Sequence, residues 1–160
     1  MITAWRLCNK RFAEATGEGA RLYGGRWNPK GYAVVYASEC LPLATLEALV
    51  RTRRRPNDQV YIQITFEEPL VKEAEALYLL PANWSRDQTA TQKIGARWVD
   101  DSSSAVLSVP SVVVSIGRNY LLNPRHPAFP SVQCSGTMAY DFDDRLLNPV
   151  PAGRVSANRA

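Results

Sequence analysis

Four side chains of this 160-residue chain carry the groups for one kind of chemistry: Arg26, Tyr36, Glu47 and Ser111. Three of them fall within residues 17–50, GEGARLYGGRWNPKGYAVVYASECLPLATLEALV. There a glycine-rich turn with Arg21 and Arg26 leads into a short apolar stretch and then into an apolar run holding Glu47. A guanidinium is a rigid, permanently charged fork that fits a diphosphate. A tyrosine ring offers a face on which a heterocycle can stack. A carboxylate beside a ribose can bind its hydroxyls and stabilise positive charge developing at the anomeric carbon. Together these groups suit cleavage of an N-glycosidic bond in a dinucleotide. Each residue taken singly also has an ordinary structural account; Glu47, for example, can pair with Arg51 one turn along a helix.

Other chemistries fit less well. His126, in NPRHP, is the only histidine, and Ser111 lies in VPSVVV rather than in a GxSxG elbow, so a Ser–His hydrolase lacks its motif. Cys8, Cys40 and Cys134 are odd in number, widely spaced and form no CxxC pair. That pattern argues for reduced thiols and against a disulfide framework or structural zinc. The glycines at 17, 19, 24 and 25 satisfy neither GxGxxG nor a Walker loop. Arg51, Arg53, Arg54 and Arg55 close a predicted helix, where cations complement the helix dipole, without the aromatic residues of a nucleic-acid groove. A net charge of +4 attracts anions without making a dense basic surface. RNA cleavage stays open, because one histidine, one glutamate and several arginines can suffice for it.

The elements that must position these residues follow from periodicity. Ala4–Leu7 reads as a first strand, with Arg6 facing either solvent or a cleft. Phe12–Ala15 reads as a helical turn, after which the glycines break regular structure. Ala33–Ala37 is short, apolar and β-branched, a buried strand. Ser38 can cap a helix that tolerates Pro42 in its first turn and runs to about Arg54, before Pro56. On that helix Leu43, Leu46 and Val50 share a face, with Glu47 about 40° from Leu43 at its edge. Val60, Ile62, Ile64 and Phe66 alternate with polar or aromatic neighbours, the clearest strand of the chain. Thr89–Val99 reads as a helix with Thr91, Ile94 and Trp98 on one side. Ala105–Val109 and Ser111–Ser115 read as strands interrupted at Pro110, and Met138–Phe142 as a last strand. The 46% hydrophobic and 21% charged fractions suit one globular domain with one core. No apolar run approaches the ~20 residues of a membrane span. The N-terminal MITAWRLCNKRF has no signal-peptide core, so a cytoplasmic protein is expected.

Several blocks also match a known family. WRL at 5–7, GEGARLYGGRWNPKG at 17–31, VVYAS at 34–38, LATLEALV at 43–50, LPANW at 80–84, VPSVVV at 109–114, NYLLNPRHP at 119–127 and YDFDDRLL at 140–147 run in order along nearly the whole chain. The chain resembles the RES-domain toxins of bacterial RES–Xre toxin–antitoxin pairs. The resemblance implies a RES domain over residues 1–148, with 149–160 a C-terminal tail. It implies an α+β fold like that of the ADP-ribosyltransferases, with mixed or antiparallel sheets around a central NAD-binding cleft and a few helices. It further implies a toxin that consumes NAD⁺ by hydrolysis or phosphorolysis of the nicotinamide–ribose bond, or one that transfers ADP-ribose to a protein. NAD⁺ would be substrate, with no true cofactor and no metal. An Xre-family antitoxin would occlude the cleft, with DNA reached only through that partner and no membrane involved. The family's name residues fall on Arg26, Glu47 and Ser111, and Arg6 and Tyr36 match other pocket positions. On this reading Arg26 and Arg6 hold the phosphates, Tyr36 stacks near the nicotinamide ribose and Glu47 stabilises the transition state. Ser111 orients ribose or nicotinamide, and Asn123 shapes the same wall. One departure is Arg51, where many relatives carry histidine, at the rim of the implied site.

Overall fold

The alternation of Val60, Ile62, Ile64 and Phe66 sets the frame. In the computed structural model, which describes residues 1–51 and 57–147, these four are buried along β3 (Gln59–Phe66) and their neighbours are half-exposed. β3 pairs antiparallel along its whole length with β1 (Ile2–Asn9), from Ile2 opposite Phe66 to Asn9 opposite Gln59. β1 is therefore longer than the Ala4–Leu7 core expected, because the pairing extends it at both ends.

Around this hairpin-like pair one mixed eight-stranded sheet is built in the order β4-β5-β6-β2-β1-β3-β7, with β8 also on β3. The remaining strands are β2 (Val35–Ser38), β4 (Val71–Glu73), β5 (Val106–Pro110), β6 (Arg118–Leu122), β7 (Gln133–Cys134) and β8 (Met138–Ala139). β4 and β5 are parallel and the other pairings antiparallel. Five helices complete the described residues: α1 (Glu18–Tyr23), α2 (Leu41–Arg51), α3 (Ala74–Leu77), α4 (Gln88–Asp101) and α5 (Asp144–Leu147). The fold is α+β, as expected, with one sheet rather than several. No helix among the described residues is long and apolar enough to cross a membrane.

The central strands are buried on both faces. Val106 and Leu122 join Ala4, Val35, Ile62 and Phe66 in one cluster, while Leu107, Val109 and Leu121 join Trp27, Trp98 and Val99 in another. α4 covers the second face. Asp87 caps it by accepting from the Ala90 N–H at 2.9 Å, and Thr91, Gly95 and Trp98 form its buried side. Gly95 is required by packing, since a Cβ there would lie 1.6 Å from the Trp27 carbonyl oxygen.

Several expected elements differ. Residues 17–25 do not merely break structure: Gly17 (φ 72°) and Gly24 (φ 74°) flank the short helix α1, using the left-handed conformations that favour glycine. The 3-10 turn near Phe12 comes earlier, at Lys10–Phe12. Ser38 is not a helix cap but the last residue of β2. Ser111–Ser115 is not a strand but a bend. The last strand is only Met138–Ala139, and β6 was not anticipated. Leu46 and Val50, expected on the buried face of α2, are 38% and 65% exposed. The expected extension of α2 to Arg54 and the boundary at residue 148 lie outside the described residues. The three cysteines are free thiols.

Candidate active site

The turn of α2 that exposes Leu46 and Val50 directs Ala44, Glu47, Ala48 and Arg51 to the sheet, an i, i+3, i+4, i+7 stripe. Opposite them, Trp5 and Leu7 of β1, Tyr36 and Ser38 of β2 and Asn119 of β6 share one face. The cross-strand partners Trp5–Ser38 and Ser38–Asn119 fix that alignment. Because Ala44 and Ala48 are small, helix and sheet do not close fully. They leave a small, open hollow lined by these residues, with Glu47 in its wall.

Glu47 is fixed from two sides. Ser111 Oγ donates to its Oε1 at 2.8 Å and Asn119 Nδ2 donates to the same oxygen at 2.6 Å. Ser111 is itself held, because its Oγ accepts the backbone N–H groups of Val113 and Val114 at 3.1 and 3.0 Å. This explains the bend after Pro110: the hydroxyl captures the amides that a strand would have spent on pairing. Asn119 is aimed by Ser38, whose Oγ donates to Asn119 Oδ1 at 2.6 Å. The carboxylate is thus oriented by neutral donors, and its Oε2 takes no protein hydrogen bond among the described residues. The i, i+4 pairing of Glu47 with Arg51 does not form. The Arg51 guanidinium lies instead 5.3 Å from the centre of the Tyr36 ring, a cation–π geometry.

Tyr36 is anchored at its far end. Its hydroxyl donates to Asn28 Oδ1 at 2.7 Å and accepts from the Trp27 N–H at 3.0 Å. Asn28 is fully buried and its amide donates to the Ala20, Pro29 and Tyr32 carbonyls, so the glycine-rich segment is tied to the tyrosine through it. A Cβ at Gly25 would come within 2.5 Å of the hydroxyl, so only glycine admits it so close. Burial pushes the phenol up to about 12, against the smaller downward pull of the Trp27 N–H and the Arg51 charge. It is therefore a neutral hydrogen-bonding anchor with a half-buried ring. Tyr36, Leu7, Ala48 and Arg51 also line a second, larger open hollow, which continues over Arg6, Asn9, Phe12, Tyr23 and Gln59 and has no carboxylate in its lining among the described residues.

Of the expected site residues, Tyr36 and Glu47 share the first hollow. Ser111 lies behind Glu47, 2% exposed, and reaches the hollow only through that carboxylate. Arg6 is nearly buried and its guanidinium donates to the Tyr36 and Phe12 carbonyls at 3.2 and 3.0 Å. The Arg26 guanidinium donates to the Trp84 carbonyl at 2.7 Å and lines neither hollow, while its own carbonyl accepts from Thr91 Oγ1. The Nε of both arginines is shielded from solvent. Asn123 is fully buried at the end of β6, where its Oδ1 accepts from the Arg125 N–H, and it shapes that turn rather than the hollow's wall. The residues that sequence reasoning missed are Asn119 and Ser38. A polar pair on adjacent strands becomes visible only once the register is known. No group of metal-ligating residues occurs among the described residues.

Comparison with known proteins agrees with this architecture. The family model described as RES domain matches residues 3–143. A protein of Yersinia enterocolitica named Toxin Res is 34% identical over 89% of this chain and 97% of its own length. Toxin Res of Pseudomonas putida is 35% identical over 89% and 98%, and a Sphingobium protein named Prs ADP-ribosylating toxin is 31% identical over 89% and 95%. In fold, the chain matches a chain of the M. tuberculosis MbcT–MbcA toxin–antitoxin complex with a TM-score of 0.59. That match has 16% identity and covers 87% of this chain and 84% of the other.

Proposed function

The chain belongs to the RES domain family, and from that premise we propose that it is the toxin of a toxin–antitoxin pair, an enzyme that cleaves the nicotinamide–ribose bond of NAD⁺. The observation that carries the reading is the Glu47 carboxylate, held by Ser111 and Asn119 in a hollow that it shares with the Tyr36 ring. NAD⁺ is the substrate and no cofactor is used.

The nicotinamide half occupies the smaller hollow, stacked near Tyr36. As the C1′–N bond breaks, its electron pair returns to the pyridinium nitrogen, so nicotinamide leaves neutral and needs no general acid. This suits a site with no histidine in its lining. The positive charge left on the ribose faces Glu47, which stabilises it electrostatically. Water or phosphate then adds to C1′. Ser111 and Asn119 are positioning residues that act through Glu47. Arg26, by clamping Trp84 beside the segment that binds the Tyr36 hydroxyl, steadies the aromatic wall.

Transfer of the ADP-ribosyl group to a protein is the second reading, favoured by the name of the Sphingobium relative. The partner is an Xre-family antitoxin that covers the hollow and carries any DNA contact, a reading supported by the toxin–antitoxin complex of the structural neighbour. The test is to incubate the purified protein with NAD⁺ labelled in the ADP-ribosyl half, with and without phosphate, and to identify products by mass. Free ADP-ribose marks hydrolysis, its 1″-phosphate marks phosphorolysis and label on a protein marks transfer. Intact NAD⁺ in all arms contradicts the proposal and returns RNA cleavage to consideration.

A further inference from the structure

We propose that Arg51 is the residue that holds the diphosphate of the substrate, and that it leaves the face of Tyr36 to do so. This rests on the NAD⁺ reading and names the contact it lacks. The family resemblance pointed to Arg26 and Arg6 for the phosphates. Yet Arg6 donates to the Tyr36 and Phe12 carbonyls, Arg26 donates to the Trp84 carbonyl and lines neither hollow, and each has its Nε shut away from solvent. Arg51 differs from both in its exposure and its hydrogen bonding. It is exposed, and among the described residues its guanidinium makes no ion pair or hydrogen bond. It lines both hollows where they meet at Tyr36.

The spacing also fits. Glu47 and Arg51 stand four residues apart on one helix, roughly 6 Å of rise, on the same stripe. That is the order of separation between the anomeric carbon of a ribose and the phosphate on its own 5′ carbon. A ribosyl 5′-diphosphate can therefore lie along α2 with its reacting carbon at the carboxylate and its phosphates at the guanidinium. The remaining adenylate half then enters the larger hollow, whose lining holds Arg6 and, among the described residues, no carboxylate to repel it. The Arg51 fork covers the ring of Tyr36 at 5.3 Å. A diphosphate is the stronger partner for an exposed guanidinium than a ring quadrupole, so binding draws the fork away and frees the ring for nicotinamide.

Calorimetric titration with ADP-ribose, which carries the diphosphate and is not turned over by glycosidic cleavage, tests this in wild type, Arg51→Met and Arg51→Lys. Methionine keeps an apolar stem without charge; lysine keeps a point charge without the fork. Affinity should fall about 10- to 100-fold in Arg51→Met, as for loss of a charged hydrogen bond. It should fall less in Arg51→Lys, with melting temperatures unchanged. Equal losses in both variants, no loss in Arg51→Met, or no binding by wild type would overturn the assignment. Because the titration reads binding alone, a protein that binds ADP-ribose through Arg51 but leaves NAD⁺ intact sinks the reaction and keeps this contact.

Discussion

Arg118 and Asn119 are neighbours on β6, point to opposite faces of the sheet, and each holds a carboxylate. Arg118 grips Glu75 through Nη1 and Nη2, donates from Nε to Ser108 Oγ at 3.0 Å and gives its backbone N–H to Glu39 at 2.9 Å. The bond from Arg118 holds the Glu75 carboxyl below the usual glutamate range. Asn119 holds Glu47 with an amide. The difference lies in the donor's charge. A guanidinium both fixes and cancels a carboxylate, leaving little field for anything else, whereas an amide and a hydroxyl fix it and leave its charge to act on a ligand. One strand thus carries a structural carboxylate on one side and a chemically available one on the other.

Breaking the polar frame of Glu47 should have the larger consequence. Asn119→Ala should lower kcat for NAD⁺ cleavage about tenfold or more, the scale of one hydrogen bond to a charged group. KM should change little, because the residue acts on the carboxylate and not on the substrate. Ser111→Ala should do the same and also lower the melting temperature, since its hydroxyl gathers the 113 and 114 amides. Steady-state kinetics separates the two effects, and an unchanged kcat in Asn119→Ala would remove it from the positioning role. On the other face, Arg118→Gln should leave turnover alone and cost only about 0.5–1 kcal/mol, as expected of a partly exposed pair. The sign with pH is set by Glu75. Its folded pKa is depressed, so the pair's stabilisation is present above the ordinary glutamate value of about 4.3 and disappears as pH falls through the folded value. The melting-temperature gap between wild type and Arg118→Gln should therefore be steady near neutrality and shrink in acid.

The asymmetry also marks what sequence could reveal. β3 and α4 were legible because their burial follows a regular period, whereas the α+β class came from the family resemblance. Glu47 and Tyr36 each had an ordinary structural account when taken singly, and it was the family blocks holding them, VVYAS and LATLEALV, that marked them as site residues. The strand over Ser111–Ser115 was misread because three valines argue for a strand, while the one hydroxyl that bends the chain acts through hydrogen bonds that pattern cannot see. On α2 the large side chains Leu46 and Val50 drew the eye, yet the helix turns its small residues, Ala44 and Ala48, to the sheet and leaves space there. Arginine type was also a poor guide to arginine use. Arg6 and Arg26 bind carbonyls, while Arg51, read as a solvated helix end, sits at the junction of the two hollows.

The most direct test sets the two carboxylates side by side: nicotinamide released from NAD⁺ by wild type, Glu47→Gln and Glu75→Gln under identical conditions. Wild type should release nicotinamide, Glu75→Gln should do so at a similar rate, and Glu47→Gln should fall by about 10²–10³, the usual loss for one electrostatic contributor. No release by wild type, or equal rates from the two variants, would contradict the account.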